Sequence, residues 1–221
     1  MGTGSMCGID ADALWAVVDR ERTELADLFA DLPDEEWEAP SLCAGWRVAD
    51  VAAHLALAHT RPARAAVDWV RAGGSLDRMI RDSARRHAEA VSRDRIAAEI
   101  REMTGSRRTA PGVSRLEPLL DVLVHGQDVA IPLGRTRRMP LEAARAAATR
   151  VWTMRWPMSR TFRARDRLRG LQLRATDTDW SVGEGDPVEG PMEALLLLLT
   201  GRSQVAVRRL SGNGVRLLSR R

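Results

Sequence analysis

Apolar residues recur at helical spacing along most of the first two thirds of the chain. From Ile9 to Leu32 they fall at Leu14, Val17, Val18, Leu25, Leu28 and Phe29, between charged residues. That spacing predicts an amphipathic helix, which Pro33 ends. Asp34 to Gly45 reads as a loop holding Trp37, Pro40 and Cys43. A second helix is predicted from Trp46 to Ala72, kinked or broken at Pro62. Gly73-Gly74-Ser75 is a turn with Ser75 as N-cap. A third, strongly charged helix is predicted from Leu76 to Met103, with sparse apolar positions at Met79, Ile80, Val91, Ile96 and Ile100. Thr104 to Gly112 is a loop, and a fourth helix runs from Ser114 to Leu133. Four helices, each with one apolar stripe, predict a bundle.

The pattern changes after Pro140. Leu141 to Trp156 is Ala-rich and helical, ended by Pro157. Leu168 to Ala175 alternates with period two and predicts a strand; a short strand follows at Trp180 to Val182, then a loop from Gly183 to Gly190. Pro191 to Thr200 is a nearly all-apolar helix closed by Gly201. Val205 to Leu210 is ambiguous between strand and helix, and Val215 to Leu218 reads as a last strand. The expected organisation is a short disordered N-terminus (1–8), a helical bundle (9–138) and a small α+β domain (139–221).

Composition excludes several classes. At 44% hydrophobic and 29% charged residues the chain can build a core and is not of a disordered type. Its 34 basic residues are all Arg, mixed with acids, and the net charge is only +4, so nucleic-acid binding is not indicated. No stretch approaches the roughly 20 apolar residues of a membrane span. No signal pattern opens the chain, which predicts a cytoplasmic protein, a monomer or homodimer. Cys7 and Cys43 have no metal-type spacing, and with no His or acid near it in sequence Cys43 reads as a packed loop thiol.

The chemistry concentrates in two apolar runs. In Leu119 to Asp128, Asp121 and His125 stand at i and i+4, on one helix face. Buried charge is costly unless paired or bound to a cation. Either the two bond each other or they share a cation with a third ligand, for which His54, inside Val51 to Leu57, is the candidate. Asp128 could accept the free N–H of a metal-bound His or pair with an Arg. Asp50 suits the first turn of its helix. His59 and His87 read as solvated. Trp37 and Trp46 read as bundle-end packing, and Arg160 to Arg169 as a solvated linker face.

Three stretches carry a family resemblance: Pro40 to Leu55, with its Gly45-Trp46, Asp50-Val51 and Ala53-His54-Leu55; Asp121 to Asp128 with Leu133-Gly134-Arg135; and Leu195 to Arg202 with Leu210 to Val215. Together they resemble the mycothiol-dependent maleylpyruvate isomerase family. The resemblance implies a mainly α fold, a DinB-like four-helix bundle followed by a small α+β C-terminal domain. It implies a divalent metal, usually zinc, on His54, Asp121 and His125, and mycothiol as cosubstrate. It makes Arg202 a catalytic residue that holds a carboxylate, with Arg81 and Arg85 weaker candidates. Asp121 departs from the family pattern, which has the longer Glu; a shorter ligand predicts a cation drawn toward the fourth helix or held more weakly. Two histidines and a carboxylate leave an open position where a thiol can lose its proton. The implied function is a metal-dependent, thiol-using isomerase or S-transferase acting on an electrophilic small molecule. The alternatives are a metal-dependent enzyme of specialised metabolism without a thiol cofactor, and a non-catalytic small-molecule-binding relative.

Overall fold

The computed structural model describes residues 9–59, 62–109, 113–155 and 159–218. The expected disordered segment 1–8 lies outside them. The described residues divide into two compact units, those within Asp12–Arg138 and those from Met139 onward together with Ile9–Ala11.

The first unit is helical. Helix α1 (Ala11–Ala30) buries Leu14, Val18, Leu25 and Phe29, the stripe that its sequence spacing draws. The segment after Pro33 is not all loop: α2 (Asp34–Trp37) makes one turn, its three acids facing the positive end of the dipole. Its Trp37 is buried against Phe29, ring centroids 5.6 Å apart. Helix α3 (Val48–Ala56) is started by Asp50, whose buried carboxylate accepts the Arg47 backbone N–H at 2.9 Å. A 3-10 turn (Leu57–His59) ends it, and Pro62 opens α4 (Pro62–Arg71), as a proline in a first turn does.

The predicted third helix is two, α5 (Leu76–Ala90) and α6 (Arg93–Glu102). Ser75 caps α5 by accepting the Arg78 N–H. Val91 adopts an extended conformation at the break, and Ser92 occupies the N-cap position of α6. His87 and Glu99 bridge the two pieces at 2.7 Å, so His87 is buried, not solvated. The last helix of the unit is α7 (Leu116–Ala130). α3 is the hub, packing on α5, α6 and α7. One core joins Leu25 and Phe29 of α1, Val48, Val51 and Leu55 of α3, Ile96 and Ile100 of α6, and Val122 and Val129 of α7.

In the second unit, α8 (Leu141–Thr153) packs against α11 (Met192–Leu199) through buried alanines, which allow close approach. The predicted linker face forms two single-turn helices, α9 (Ser159–Phe162) and α10 (Ala164–Arg167). Arg167 turns inward and donates to the carbonyls of Leu198 and Leu199 at 3.2 and 2.8 Å, satisfying the end of α11.

Strand β1 (Leu171–Ala175) is central, antiparallel to β2 (Ser181–Gly183) and parallel to β3 (Asp186–Gly190). The predicted loop from Gly183 to Gly190 therefore contains a strand. Pro187 and two glycines hid it, and it is short and at an edge, where proline is tolerated. Gly185, at φ +124°, lets the chain cross the start of β1; a Cβ there would lie 2.1 Å from the Gly170 carbonyl oxygen. The ambiguous Val205 to Leu210 is helical, as α12 (Ser203–Ala206) and a 3-10 turn (Val207–Arg209). The expected last strand is one helical turn, α13 (Val215–Leu218); after the Ser211–Gly214 turn its backbone closes on itself through Arg216 N–H to Asn213 and Leu217 N–H to Gly214. The fold is mainly α with a small α+β C-terminal unit, as expected.

Phe29→Ala should remove the ring that α1 contributes to Trp37 and the bundle core. A fully buried Phe of this kind costs about 3–5 kcal/mol on truncation, read as a lower urea midpoint with unchanged slope.

Candidate functional site

His54 lies on α3, and Asp121 and His125 lie one turn apart on α7. The packing of α3 on α7 brings the three together. One donor atom from each lies within 4.8 Å of the others. A tetrahedral zinc site separates such donors by about 3.4 Å, so movements of at most ~1.4 Å would bring them onto one cation. The rings of His54 and His125 meet edge to face with centroids 4.9 Å apart, and Trp46 packs edge to face on His54 at 5.6 Å. Trp46 thus covers a site residue as well as packing.

Asp128, with no exposed surface, accepts from His125 Nδ1 at 2.8 Å. It is the carboxylate that orients His125. It also accepts from the Cys43 thiol at 3.0 Å, and Cys43 Sγ stands 3.7 Å from His125 Nδ1. Cys43 is therefore not an inert loop thiol, since His125 and Asp128 reach it across 82 and 85 residues of chain. Its loop is held in place: the Leu42 N–H donates to the Asp128 carbonyl at 3.0 Å, and the Cys43 N–H to Ser41 Oγ at 3.1 Å. Sequence spacing could not have found this contact. The nearest signal is that Cys43 falls within the same motif as His54.

The two histidines are driven apart in protonation. Burial holds His54 down to about 3, helped by the charge of His125 and partly opposed by Asp128. Burial also works against protonated His125, but hydrogen bonds to Asp128 and Cys43 and their charges outweigh it and push the ring up to about 10.

The other candidates are dispersed. Arg85 donates to the Gly45 carbonyl at 2.6 Å, beside the Cys43 loop, whereas Arg81 pairs with Asp82 on an exposed face. Arg202 belongs to the second unit, where it opens α12 and donates to the Thr200 carbonyl at 2.6 Å. His59 is half-buried, not solvated, and its Nε2 is enclosed without a partner among the described residues. A cavity of about 460 Å³ lies between α2, the start of α3 and the α5–α6 break. Its charges neutralise one another through Arg93 with Asp34 and Glu38 and Arg47 with Glu38, and no histidine lines it. The chemistry lies with the histidines instead.

The family model of the mycothiol maleylpyruvate isomerase N-terminal domain matches residues 18–130, just over half of the chain. The chain belongs to this family. Matching the isomerase family model, that segment contains His54, Asp121, His125, Asp128 and Cys43. Crystal structures of the mycothiol-dependent maleylpyruvate isomerase and of a histidine-to-alanine mutant of it are similar in fold. Both give a TM-score of 0.62 with 93% of each chain covered, at 14% and 13% identity respectively. Among the curated proteins none matches this isomerase-family chain.

In chelator-treated protein, NMR of the imidazole protons should find His54 neutral and His125 protonated across the range between about 3 and about 10. The sign of the stability effect follows. His125, raised above its ordinary 6.5, contributes fully below 6.5 and loses that contribution as pH rises through about 10. His54, depressed, contributes fully above 6.5 and loses its contribution as pH falls through about 3. On these two groups the metal-free protein should melt highest near 6.5.

Proposed function

We propose that this chain is a metal-dependent enzyme that uses a small thiol, mycothiol on the family's pattern, to act on an electrophilic small molecule. The reaction is an isomerisation by reversible thiol addition or an S-transfer. The observation that carries the reading is the convergence of His54, Asp121 and His125 from two helices onto a space one cation would fill. A zinc-class cation bound there would supply a Lewis acid that makes a coordinated thiol acidic near neutral pH.

The chain's own residues do the rest. Burial keeps His54 neutral, so it offers a lone pair and not a proton. Asp128 takes the Nδ1–H of His125 and leaves Nε2 as that ring's ligand atom. Asp121 brings the negative charge that two neutral imidazoles lack. Its length, one methylene short of the family's Glu, favours a cation close to α7. Trp46 packs against the ring of His54 and helps to hold it in place. On the family's pattern Arg202 holds a substrate carboxylate, a role that a guanidinium fills in bidentate fashion.

Metal analysis of the purified protein tests the reading, with mycothiol binding followed by calorimetry. One zinc per chain at this position is expected, lost in His125→Ala, with mycothiol bound only by the metal-loaded form. Asp128→Asn should keep the fold and weaken metal binding by about 10–100-fold, the usual cost of losing a group that orients a ligand. Metal retained without thiol affinity would point to an enzyme of specialised metabolism that needs no thiol. Absence of metal even after incubation with zinc, with stability unchanged by chelation and by His54→Ala, would point to a non-catalytic binding relative.

A further inference from the structure

Cys43 has no part in the function just described, yet it stands against two of its residues. We propose that Cys43, His125 and Asp128 form a second cation position, sharing His125 with the first, for a divalent metal ion of the zinc class that accepts sulfur.

The distances are those of a site nearly assembled. Cys43 Sγ, Asp128 Oδ2 and His125 Nδ1 form a triangle with sides of 3.0, 2.8 and 3.7 Å. Bond lengths of about 2.3 Å to sulfur and 2.0–2.2 Å to nitrogen and oxygen place tetrahedral donors roughly 3.4–3.6 Å apart. The triangle has to open by no more than about 0.6 Å on its short sides. Its ligand set differs from that of the first position: the ligating atoms fall into two close groups, one with His54 and Asp121 and one with Cys43 and Asp128, with His125 in both.

Charge and preorganisation support the assignment. Asp128 is a carboxylate with no exposed surface, already turned toward His125 and Cys43, so its oxygen is in place for an ion bound between them. With this position alone filled, a thiolate, a carboxylate and a neutral imidazole around a divalent ion sum to zero, a charge set that a buried position tolerates; with both filled, His125 loses its last N–H and bridges the two ions as an imidazolate, Nδ1 on this one and Nε2 on the other. The loop carrying Cys43 is fixed to α7 by its own backbone through Leu42 and Asp128, so Sγ needs no loop rearrangement to reach the ion. Cation entry breaks two hydrogen bonds, Cys43 S–H to Asp128 and His125 Nδ1–H to Asp128. The thiol proton and the Nδ1 proton pass to water, and Sγ and Nδ1 bond the metal. Thiolate sulfur selects zinc and similar ions over magnesium or calcium. The first position leaves a coordination site open to an outside thiol; in this one the protein's own sulfur takes that place.

The inference rests on the proposed metal-binding reading only through His125, and one experiment separates them. Metal-free full-length protein is titrated with cobalt(II), and the near-ultraviolet band of thiolate-to-cobalt charge transfer is recorded. The band is expected in the wild type, retained in Cys7→Ser and in His54→Ala, and lost in Cys43→Ser. Circular dichroism confirms the fold of each variant, and His54→Gln replaces His54→Ala if the latter is unfolded. Cobalt bound without the band overturns the second position and leaves the first standing. A band that survives Cys43→Ser or vanishes in Cys7→Ser puts the sulfur elsewhere and overturns it. A band lost in both His54 variants puts Cys43 on the first cation and overturns a separate position. No cobalt bound at all overturns both readings.

Discussion

Asp128 is a carboxylate sealed inside a helical unit, and its hydrogen bonds set the geometry around it. One oxygen takes the Nδ1–H of His125 and the thiol of Cys43, while the backbone carbonyl of the same residue takes the Leu42 N–H. A buried carboxylate left without such donors would cost several kcal/mol. The ring of His125, the loop from Ser41 to Gly45 and the end of α7 are thereby held in one arrangement. The rings of His54 and His125 then meet edge to face because α3 cannot move without opening the core around Val51 and Leu55.

The glycine after His125 shows how closely α7 is built. A Cβ on Gly126 would lie 2.8 Å from Nε of Arg137, whose side chain crosses the helix there to pair with the buried Glu21 of α1. Arg137 is itself tied down, since the Gln127 side chain donates to its carbonyl at 2.8 Å. Of the two residues after His125, Gly126 makes room for Arg137 and Gln127 holds its backbone, so that Arg137 fastens α7 to α1, while His125 faces α3.

Much of this was legible in the sequence, for reasons that can be traced. The stripe of Leu14, Val18, Leu25 and Phe29 has one period and one explanation, and so does the i, i+4 placement of Asp121 and His125. The break at Val91–Ser92 was not legible, because charged residues on both sides continue a helical rhythm that the backbone does not follow. β3 was masked by Pro187 and its glycines, and α13 by four residues too few to show a period. Cys43 was the most consequential miss. Its partners lie on another helix, and only the packing of that helix discloses them. Arg167 was read as solvated from its charged neighbours, although the free carbonyls at the end of α11 required a donor.

The contact between Cys43 and Asp128 spans 85 residues, and the chain is made from its N-terminus. At roughly 5–20 residues per second, about 4–17 s pass between the synthesis of one and of the other. Throughout that interval the thiol has neither the carboxylate nor α7 to shelter it. A newly made Cys43 is thus open to oxidants and stray metal ions without its partners, and completion of α7 supplies them while leaving the thiol partly exposed.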